Sequence, residues 1–474
     1  MLFDNNSISI DGPTSLAVSD NFKKRFESYG WDYISIDGHR FDEIYKALKK
    51  VQNSKRPTVI SCKTKIGYGS PNKSGKASSH GSPLGKDEIK LVRKKLGWNY
   101  KPFEIPKNIL NEWNKIGIKG NKIEAKWNKI YNKNKIKIEK IFKNNFNKSI
   151  KSEKISAIKE IKSLATRKCS ELVLNSITYE NKNLIGGSAD LAGSNNTKTK
   201  FHKIIKSNDF SGNYIHYGVR EHAMCGIMNG LALHSKLIPY GGTFLIFSDY
   251  CKPSIRLSAL MKQQVIYVMT HDSIGLGEDG PTHQPIEQLS GLRSIPNLNV
   301  FRPADRMETI ECWELALKNS KTPSILSLTR QNLNPVRNKY SINNKCALGA
   351  YEILRTNKKI NLTILASGSE VNLAIETSHK LAKNKIYSKV ISVPCQDIFD
   401  SQSKSYKKKI LGETKLKISI EAASTDCWKK YVGNEGFTFG IDEFGKSAPY
   451  KNIYKYFGLT AENISKKIKN RLKN

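Results

Sequence analysis

The fold is decided by residues 270–285, which read THDSIGLGEDGPTHQP. They directly follow residues 265–269 (VIYVM), an apolar run with the length and composition of a buried strand. In open α/β sheets, ligands bind just beyond the carboxyl ends of the strands. The segment therefore predicts an α/β fold and, at the end of this strand, a ligand site.

The loop itself carries groups suited to chemistry. His271, Asp279 and His283 lie among glycines that let the backbone turn tightly near a ligand. Two imidazoles and a carboxylate can hydrogen-bond the hydroxyl groups of a sugar and transfer protons near neutral pH. We expect these three side chains to face one ligand.

Strand-like runs and helical patterns alternate along most of the chain. The predicted strands are residues 58–62, 184–187, 265–269, 324–328, 362–366 and 417–420, and the predicted helices are residues 41–51, 307–317 and 370–381. This alternation is typical of parallel sheets flanked by helices.

Two changes in composition suggest domain boundaries. Residues 107–163 are dominated by Lys, Asn and Ile and predict a linker with helical pieces. The alternation of strand-like runs and helical patterns is interrupted again near Asn332–Leu348. We therefore predict α/β units at residues 1–106, 164–345 and 346–474.

Glu221 lies in residues 216–224 (HYGVREHAM), where a loop gives way to an apolar helix. A carboxyl group beside an apolar face is a candidate for a raised pKa. An ordinary acid at a helix N-terminus, favoured by the macrodipole, would explain the position equally well.

An aromatic cluster follows. Phe244, Phe247 and Tyr250 recur every three residues, which predicts one helical face. Such a face is typical of core packing. Its alternative use is an aromatic wall for a flat heterocycle.

Several other stretches are weaker signals. Residues 187–195 (GSADLAGSN) follow a strand and offer backbone N–H groups and hydroxyls to a ligand. Arg167 and Arg330 would suit a phosphate if both reached one cleft. His80 lies in a polar loop after another strand and is a candidate ligand contact.

The chain is strongly basic. Its 79 Lys and Arg outnumber 42 Asp and Glu, for a net charge of +37. Nucleic-acid binding is one explanation of this charge. Compositional drift of the surface toward Lys, Asn and Ile is the other, and we favour it because the charges spread along the chain rather than forming one motif.

Other protein classes receive little support. No run approaches about 18 consecutive apolar residues, so we expect no membrane helix. The first residues lack the pattern of a signal peptide, which predicts a cytoplasmic protein. The eight cysteines show no C-x-x-C spacing and predict neither a zinc site nor a redox dithiol.

Taken together, four motifs resemble the transketolase family: residues 271–285, 217–221 (YGVRE), 187–191 (GSADL) and 79–81 (SHG). Their order and spacing agree from Phe3 to near the C-terminus. The resemblance implies a homodimer that uses thiamine diphosphate and Mg²⁺ or Ca²⁺ to transfer two-carbon ketol units between sugar phosphates. It assigns residues 1–106 to part of the pyrophosphate-binding domain, 164–345 to the pyrimidine-binding domain and 346–474 to the C-terminal domain.

The resemblance also implies roles for single residues. Glu221, His80 and His271 would be catalytic, with Glu221 on the aminopyrimidine ring of the cofactor. The implied cofactor contacts are Asn6, His80, Asp190, Glu221, Phe244 and Phe247. The implied substrate contacts are His80, Arg167, Ser194, His271, Asp279, His283 and Arg330. Asn6 and the backbone carbonyl of Ile8 would bind the metal, since divalent cations prefer oxygen ligands.

One departure from the family is large. The family's diphosphate motif begins with Gly-Asp-Gly well before the position of Asn6, and nothing precedes Met1 here. Ser7 also occupies a position where many members have Gly. We therefore expect an N-terminally truncated chain. It is a fragment, the large piece of a split enzyme completed by a separate N-terminal chain, or an inactive remnant.

Rival functions remain open from the sequence. Deoxyxylulose-phosphate synthase and dihydroxyacetone synthase share the cofactor and the domain types. The two arginines and the loop from His271 to His283 resemble transketolase more closely. Basic nucleic-acid binding is the rival from another class.

Overall fold

The computed structural model describes residues 1–143, 145–181 and 183–473. It has two compact units, Met1–Lys133 (unit 1) and Asn134–Asn474 (unit 2). The strands are β1 (Leu2–Asn5), β2 (Ile8–Ser9), β3 (Gly12–Pro13), β4 (Asp32–Asp37), β5 (Thr58–Lys63), β6 (Leu184–Ser188), β7 (Tyr214–His216), β8 (Ile238–Phe244), β9 (Ile266–Thr270), β10 (Asn299–Phe301), β11 (Ser324–Leu328), β12 (Tyr351–Leu354), β13 (Leu362–Ala366), β14 (Ser388–Ser392), β15 (Leu416–Ile420) and β16 (Phe437–Phe439).

The helices complete the element order. They are α1 (Phe22–Ser28), α2 (Phe41–Val51), α3 (Lys86–Lys95), α4 (Lys107–Ile141), α5 (Phe146–Lys159), α6 (Thr166–Glu180), α7 (Ala192–Asn195), α8 (Glu221–His234), α9 (Ser248–Leu260), α10 (Gln288–Arg293), α11 (Arg306–Lys318), α12 (Glu370–Ala382), α13 (Gln396–Asp400), α14 (Lys404–Leu411), α15 (Lys429–Val432), α16 (Tyr450–Tyr456) and α17 (Ala461–Lys473). Within the described part of the chain, none is both long and apolar enough to cross a membrane.

Unit 1 is built on a small parallel sheet in the order β1-β5-β4. Its buried apolar residues include Val59 and a cluster of Ile36, Ala47 and Ile60. Helix α2 has the predicted bounds, yet Phe41 at its start is 88% exposed. The periodicity of α2 therefore predicts the helix correctly, while much of its apolar face is uncovered in this unit.

Residues 107–163, predicted as a linker with helical pieces, hold two helices. Helix α4 runs without a break for 35 residues, since no proline interrupts it and its many Lys residues are good helix formers. Helix α5 packs on α6 and α11, and Ile150 joins the core with Leu174 and Trp313.

Unit 2 contains two sheets. The first has six strands, all parallel, in the order β10-β11-β9-β8-β6-β7. One apolar cluster covers each face. Because helices cover both faces, the strands read as continuous apolar runs, which confirms the predicted parallel α/β class.

The second sheet of unit 2 has the order β12-β14-β13-β15-β16. Only β12 is antiparallel to its neighbour. The predicted strand at residues 362–366 coincides with β13 at the centre of the sheet. The carboxyl ends of β13 and β15 lie side by side, at Ala366 and Ile420.

All eight cysteines lie in the described part of the chain and are free thiols, and only Cys62 and Cys427 are not fully buried.

Candidate functional site

The site lies at the carboxyl edge of the six-stranded sheet. Strands β8 and β9 are neighbours, and so are β9 and β11, so their ends at Phe244, Thr270 and Leu328 converge. The segments that follow carry Phe247, His271 and Arg330. This confirms that the loop of residues 270–285 begins at the end of a buried strand.

His271 is held in an unusual conformation at this edge. It is 3% exposed and has a φ of 61°, in the left-handed region that side chains rarely adopt. Its ring stacks on Phe244, with centroids 3.7 Å apart. Burial, followed by the charges of Arg167, Arg330 and His283, lowers the pKa of His271 to about 3. The imidazole is therefore neutral at physiological pH.

The hydrogen bonds of His271 also determine its tautomer. The Thr270 hydroxyl donates to Asn195 Oδ1 at 2.7 Å, so toward His271 Nδ1, at 2.8 Å, it can only accept. Nδ1 consequently carries the proton and Nε2 keeps its lone pair. Nε2 is the atom able to accept a proton or a hydrogen bond from a ligand.

The aromatic cluster differs from its prediction. Phe244 ends β8, Phe247 lies in a 3-10 turn over Leu245–Phe247, and Tyr250 lies in α9. The prediction that one helical face carries all three side chains was wrong, because the chain changes from strand to 3-10 turn to α-helix between Phe244 and Tyr250. The rings of Phe244 and Phe247 are nearly parallel, with centroids 5.6 Å apart and an interplanar angle of 8°.

Arg167 and Arg330 form a pair of cations near His271. Arg167, in the first turn of α6, donates from Nη1 to the carbonyl oxygen of Ser194 at 2.7 Å. Burial and the charge of Arg330 lower the pKa of Arg167. Among the described residues, no carboxylate lies within ion-pair distance of Arg167, and Arg330 has only the exposed Glu278 at 3.9 Å. Two cations without a matching carboxylate favour an anionic ligand.

The end of the loop carries His283 and Asp279. The His283 ring meets Phe247 edge-on at 5.6 Å, and Asp279 is exposed. Gln284 Nε2 donates to the carbonyls of Gly277 and Lys446, both at 2.9 Å. The loop is thus tied to the C-terminal α/β region.

Glu221 begins helix α8, as the sequence predicts, and is 8% exposed. Within the described residues, its carboxyl group forms no hydrogen bond. An acid that is nearly buried but without a protein partner fits a polar group of a ligand.

Asp190 is less informative than the other predicted residues. It follows β6, with a φ of 61°, and its side chain is exposed. Ser194 lies next to the buried Asn195, and its carbonyl binds Arg167.

The remaining predicted residues lie in unit 1. His80 is exposed directly after a 3-10 turn over Ala77–Ser79. Asn6 Oδ1 accepts a hydrogen bond from the backbone N–H of Ile8 at 3.0 Å, and Ser7 between them has a φ of 61°. A left-handed residue at this position explains why glycine would be suitable there. Asn6 and Ile8 offer oxygen ligands, but no cluster of three His, Cys, Asp or Glu suited to a metal occurs among the described residues.

Sequence reasoning missed residues that support the site. Arg302 directly follows β10 and forms an ion pair with Asp272, next to His271. The rule that ligands and functional groups collect at strand ends would have found it. Thr270 and Asn195, which determine the tautomer of His271, gave no sequence signal of their own.

Comparisons with known proteins agree along the chain. Family models described as the transketolase thiamine diphosphate binding domain, the transketolase pyrimidine binding domain and the transketolase-like C-terminal domain match residues 1–154, 162–336 and 349–460. The transketolase of Sinorhizobium medicae is 43% identical over 473 residues, which are 98% of this chain and 68% of that protein. The transketolase of Cereibacter sphaeroides is 43% identical over 477 residues, or 100% of this chain and 72% of its own length. The crystal structure of transketolase from Campylobacter jejuni has a TM-score of 0.90 at 37% identity and covers 99% of this chain and 72% of its own.

Proposed function

This chain belongs to the transketolase family, and we propose that it transfers a two-carbon ketol unit from a ketose phosphate to an aldose phosphate. The observation that carries this proposal is a pair of cations beside the neutral imidazole of His271. Among the described residues, Arg167 has no carboxylate within ion-pair distance, and Arg330 has only the exposed Glu278 at 3.9 Å. A phosphate bound by the two guanidinium groups would place a sugar chain near Nε2 of His271.

The cofactor contacts follow from the same edge of the sheet. We propose that Glu221 hydrogen-bonds the aminopyrimidine of thiamine diphosphate, that Phe244 and Phe247 pack on this ring, and that Asp190 lies near the cofactor. When bound, thiamine diphosphate supplies the electron sink for carbon–carbon bond cleavage and formation. In unit 1, Asn6 and the carbonyl of Ile8 would bind Mg²⁺ or Ca²⁺, and His80 would contact cofactor and substrate.

The proposed substrate contacts fall into residues that bind the phosphate and residues that bind the rest of the sugar. We propose that Arg167, Arg330, Ser194 and His283 hold the sugar phosphate. Asp279 would accept a hydrogen bond from a sugar hydroxyl, and His271 would take or return a proton at Nε2. Because His271 is neutral near pH 7, it can accept this proton without first losing one.

The assembly is a homodimer in this proposal. Helices α8 and α9 expose a set of apolar side chains, which supports an interface there. They are Ile227, Leu233, Leu257 and Leu260, each between 45% and 66% exposed. We also propose a cytoplasmic location. The proposed domains are residues 1–106, 164–345 and 346–474, with a linker at residues 107–163.

The experiment is ketol transfer from xylulose 5-phosphate to ribose 5-phosphate with thiamine diphosphate and Mg²⁺. A second arm adds a separately expressed N-terminal half of a full-length transketolase. The prediction that another chain supplies such a half has no support from the family match, which begins at residue 1. We expect turnover in at least one arm and its loss in Glu221→Gln, while Glu413→Gln, whose side chain is 81% exposed, retains it. Turnover in neither arm by a folded dimer would contradict the proposal.

Two rival functions can be tested with the same protein sample. Product formation from pyruvate but not from xylulose 5-phosphate would indicate deoxyxylulose-phosphate synthase instead. The net charge of +37 keeps nucleic-acid binding as the second candidate. That candidate requires salt-dependent binding of labelled RNA, with affinity falling steeply as salt rises.

A further inference from the structure

The carboxyl edge of the five-stranded sheet is filled by an arginine from another region. In open α/β sheets this edge is the usual place for a ligand. Here the side chain of Arg302, which follows β10 of the six-stranded sheet, inserts beside the ends of β13 and β15 and is 0% exposed. The crevice therefore holds a side chain of the chain itself.

Arg302 is bound on every side of its guanidinium group. The carboxylates of Asp272, Glu370 and Glu421 surround it, together with Ser367 and Ser369 at the end of β13. The distances are 2.9 Å from Nε to Asp272 Oδ2, 2.5 Å from Nη1 to Glu370 Oε2, 3.0 Å from Nη1 to the Ser367 carbonyl, 3.2 Å from Nη2 to Ser369 Oγ, and 3.7 Å from Nη1 to Glu421 Oε1. We call this set of partners the Arg302 socket.

A second layer of contacts keeps the socket rigid. Arg293 binds Glu421 through two hydrogen bonds of 2.8 Å, and Trp428 Nε1 donates to the same carboxylate at 2.7 Å. Gly368 has a φ of 53°, and a Cβ there would lie 2.8 Å from Cγ of Arg302. The backbone is thus closely fitted to this arginine.

The socket reaches the candidate active site through one residue. Asp272 receives its hydrogen bond from Arg302 and is bonded in sequence to His271, whose φ is 61°. A non-glycine residue in this conformation persists only where its surroundings enforce it. Within the described residues, the other carboxylate oxygen of Asp272 has no hydrogen-bond partner, so Arg302 is its principal anchor.

We propose that Arg302 is a positioning residue, and that the C-terminal α/β region uses its strand-end crevice as a socket for Arg302 in order to fix Asp272 and the left-handed backbone of His271. This gives the C-terminal region a role in ketol transfer without any ligand of its own. The catalytic consequence rests on the proposed function, whereas the structural link between Arg302 and His271 does not.

The first test needs no activity. Arg302→Lys keeps the charge but loses the planar fork that reaches Asp272, Ser369 and Glu370 together. Arg337→Lys is the matched control, because Arg337, whose side chain is 6% exposed, forms a bidentate pair with Glu311 at 2.7 and 2.9 Å and has no contact with Asp272 or His271 among the described residues. We expect faster hydrogen exchange over residues 271–284 and a changed imidazole ¹⁵N signal of His271 in Arg302→Lys only.

Equal effects in both variants, or none in Arg302→Lys, would overturn the proposal. Asp272→Asn covers the case in which Arg302→Lys does not fold. It keeps the size of the side chain and removes the ion pair, and it should change the same exchange rates and the same ¹⁵N signal. Unchanged exchange in this variant would also overturn the link.

The second test applies when wild-type turnover is measurable. Misplacement of a reacting group by about 1 Å costs about 100-fold in rate, so we expect kcat of Arg302→Lys to fall at least about 10-fold with KM for both sugars nearly unchanged. A rise in KM alone would overturn the positioning role. If the wild type shows no turnover while the exchange difference is present, the proposed function fails and the structural link stands.

Discussion

The two sheets of unit 2 have related topology but use their carboxyl edges differently. At the six-stranded sheet, no carboxylate of the described residues pairs with Arg167, and Arg330 has only the exposed Glu278 at 3.9 Å. At the five-stranded sheet, the fully buried Arg302 is surrounded by Asp272, Glu370 and Glu421. The two edges therefore differ in whether their cations are already neutralised by buried carboxylates. The edge whose cations are not neutralised can bind an anionic ligand, whereas the other edge holds the side chain of Arg302.

This difference predicts where substitutions will act. A substitution that leaves a buried charge without its partner strongly destabilises the folded protein. A substitution that removes an exposed cation weakens only the binding of its ligand. Substitutions at the socket should change stability, and substitutions at the cation pair should change substrate affinity.

The largest effect should come from Glu421→Gln. It leaves Arg293 and Arg302 buried with less compensating charge, and removal of one partner of a buried pair costs about 3–5 kcal/mol. Urea unfolding of the mutant and of Glu413→Gln, an exposed control, measures the difference. A loss below about 1 kcal/mol would mean that the socket is not a strong electrostatic element.

Acid should reproduce most of this loss in the wild type. Burial raises the pKa of Glu421, but the ion pairs with Arg293 and Arg302 outweigh burial and lower it from 4.5 to about 2. A folded pKa below the unfolded value stabilises the protein above pH 4.5, and this contribution, about 3 kcal/mol, is lost as the pH falls toward 2.

The check is unfolding at several pH values between 5 and 2 for the wild type and Glu421→Gln. Their free energies of unfolding should converge as the pH falls, because protonated Glu and Gln are both neutral. Parallel curves would assign the acid sensitivity to other groups.

Gly368→Ala tests how closely the backbone fits Arg302. Gly368 and Gly433 both have positive φ, at 53° and 71°, but a Cβ meets Arg302 only at Gly368, while nothing lies within 4 Å at Gly433. Gly433→Ala should cost about 1 kcal/mol from the left-handed backbone alone. Gly368→Ala should cost a further 1–3 kcal/mol from overpacking. Equal losses in thermal unfolding would contradict the fit.

Arg330→Met tests the other edge. The loss of a charge-assisted hydrogen bond to phosphate is worth about 1.5–3 kcal/mol, so KM for ribose 5-phosphate should rise about 10- to 100-fold. An unphosphorylated aldose acceptor should show little change, and stability should be unaltered because the side chain is 44% exposed. Equal losses for both acceptors would remove Arg330 from the phosphate site.

The contrast between the edges also marks what the sequence can predict. Residues 324–328 and 362–366 are strands in the structure because short apolar runs buried on both faces have few alternatives. The loop after β9 was predictable because His271 and His283 lie near each other in sequence. The position of Arg302 at a strand end was also predictable, but its partners were not, since Glu370 and Glu421 follow strands of the other sheet and meet it only through topology. The spacing of Phe244 and Phe247 misled because Phe244 ends a strand and only Phe247 lies in a helical turn, a boundary that the three-residue spacing does not reveal.

The smallest effect is expected for Ser447→Ala, which removes a contact between the C-terminal region and the loop of residues 270–285. The Ser447 hydroxyl donates to the carbonyl of Glu278, in that loop, at 2.6 Å, on an exposed surface. Ser401 is the matched control, since its exposed hydroxyl donates to the carbonyl of Ile398 at 2.7 Å within its own turn. Each Ser→Ala change should cost no more than about 1 kcal/mol, because an exposed group regains hydrogen bonds to water. Only Ser447→Ala should speed hydrogen exchange over residues 277–284, because of these two serine bonds only that of Ser447 joins the C-terminal region to the loop. Exchange that stayed at the wild-type rate would show that Gln284 and the Arg302 socket hold the loop without Ser447.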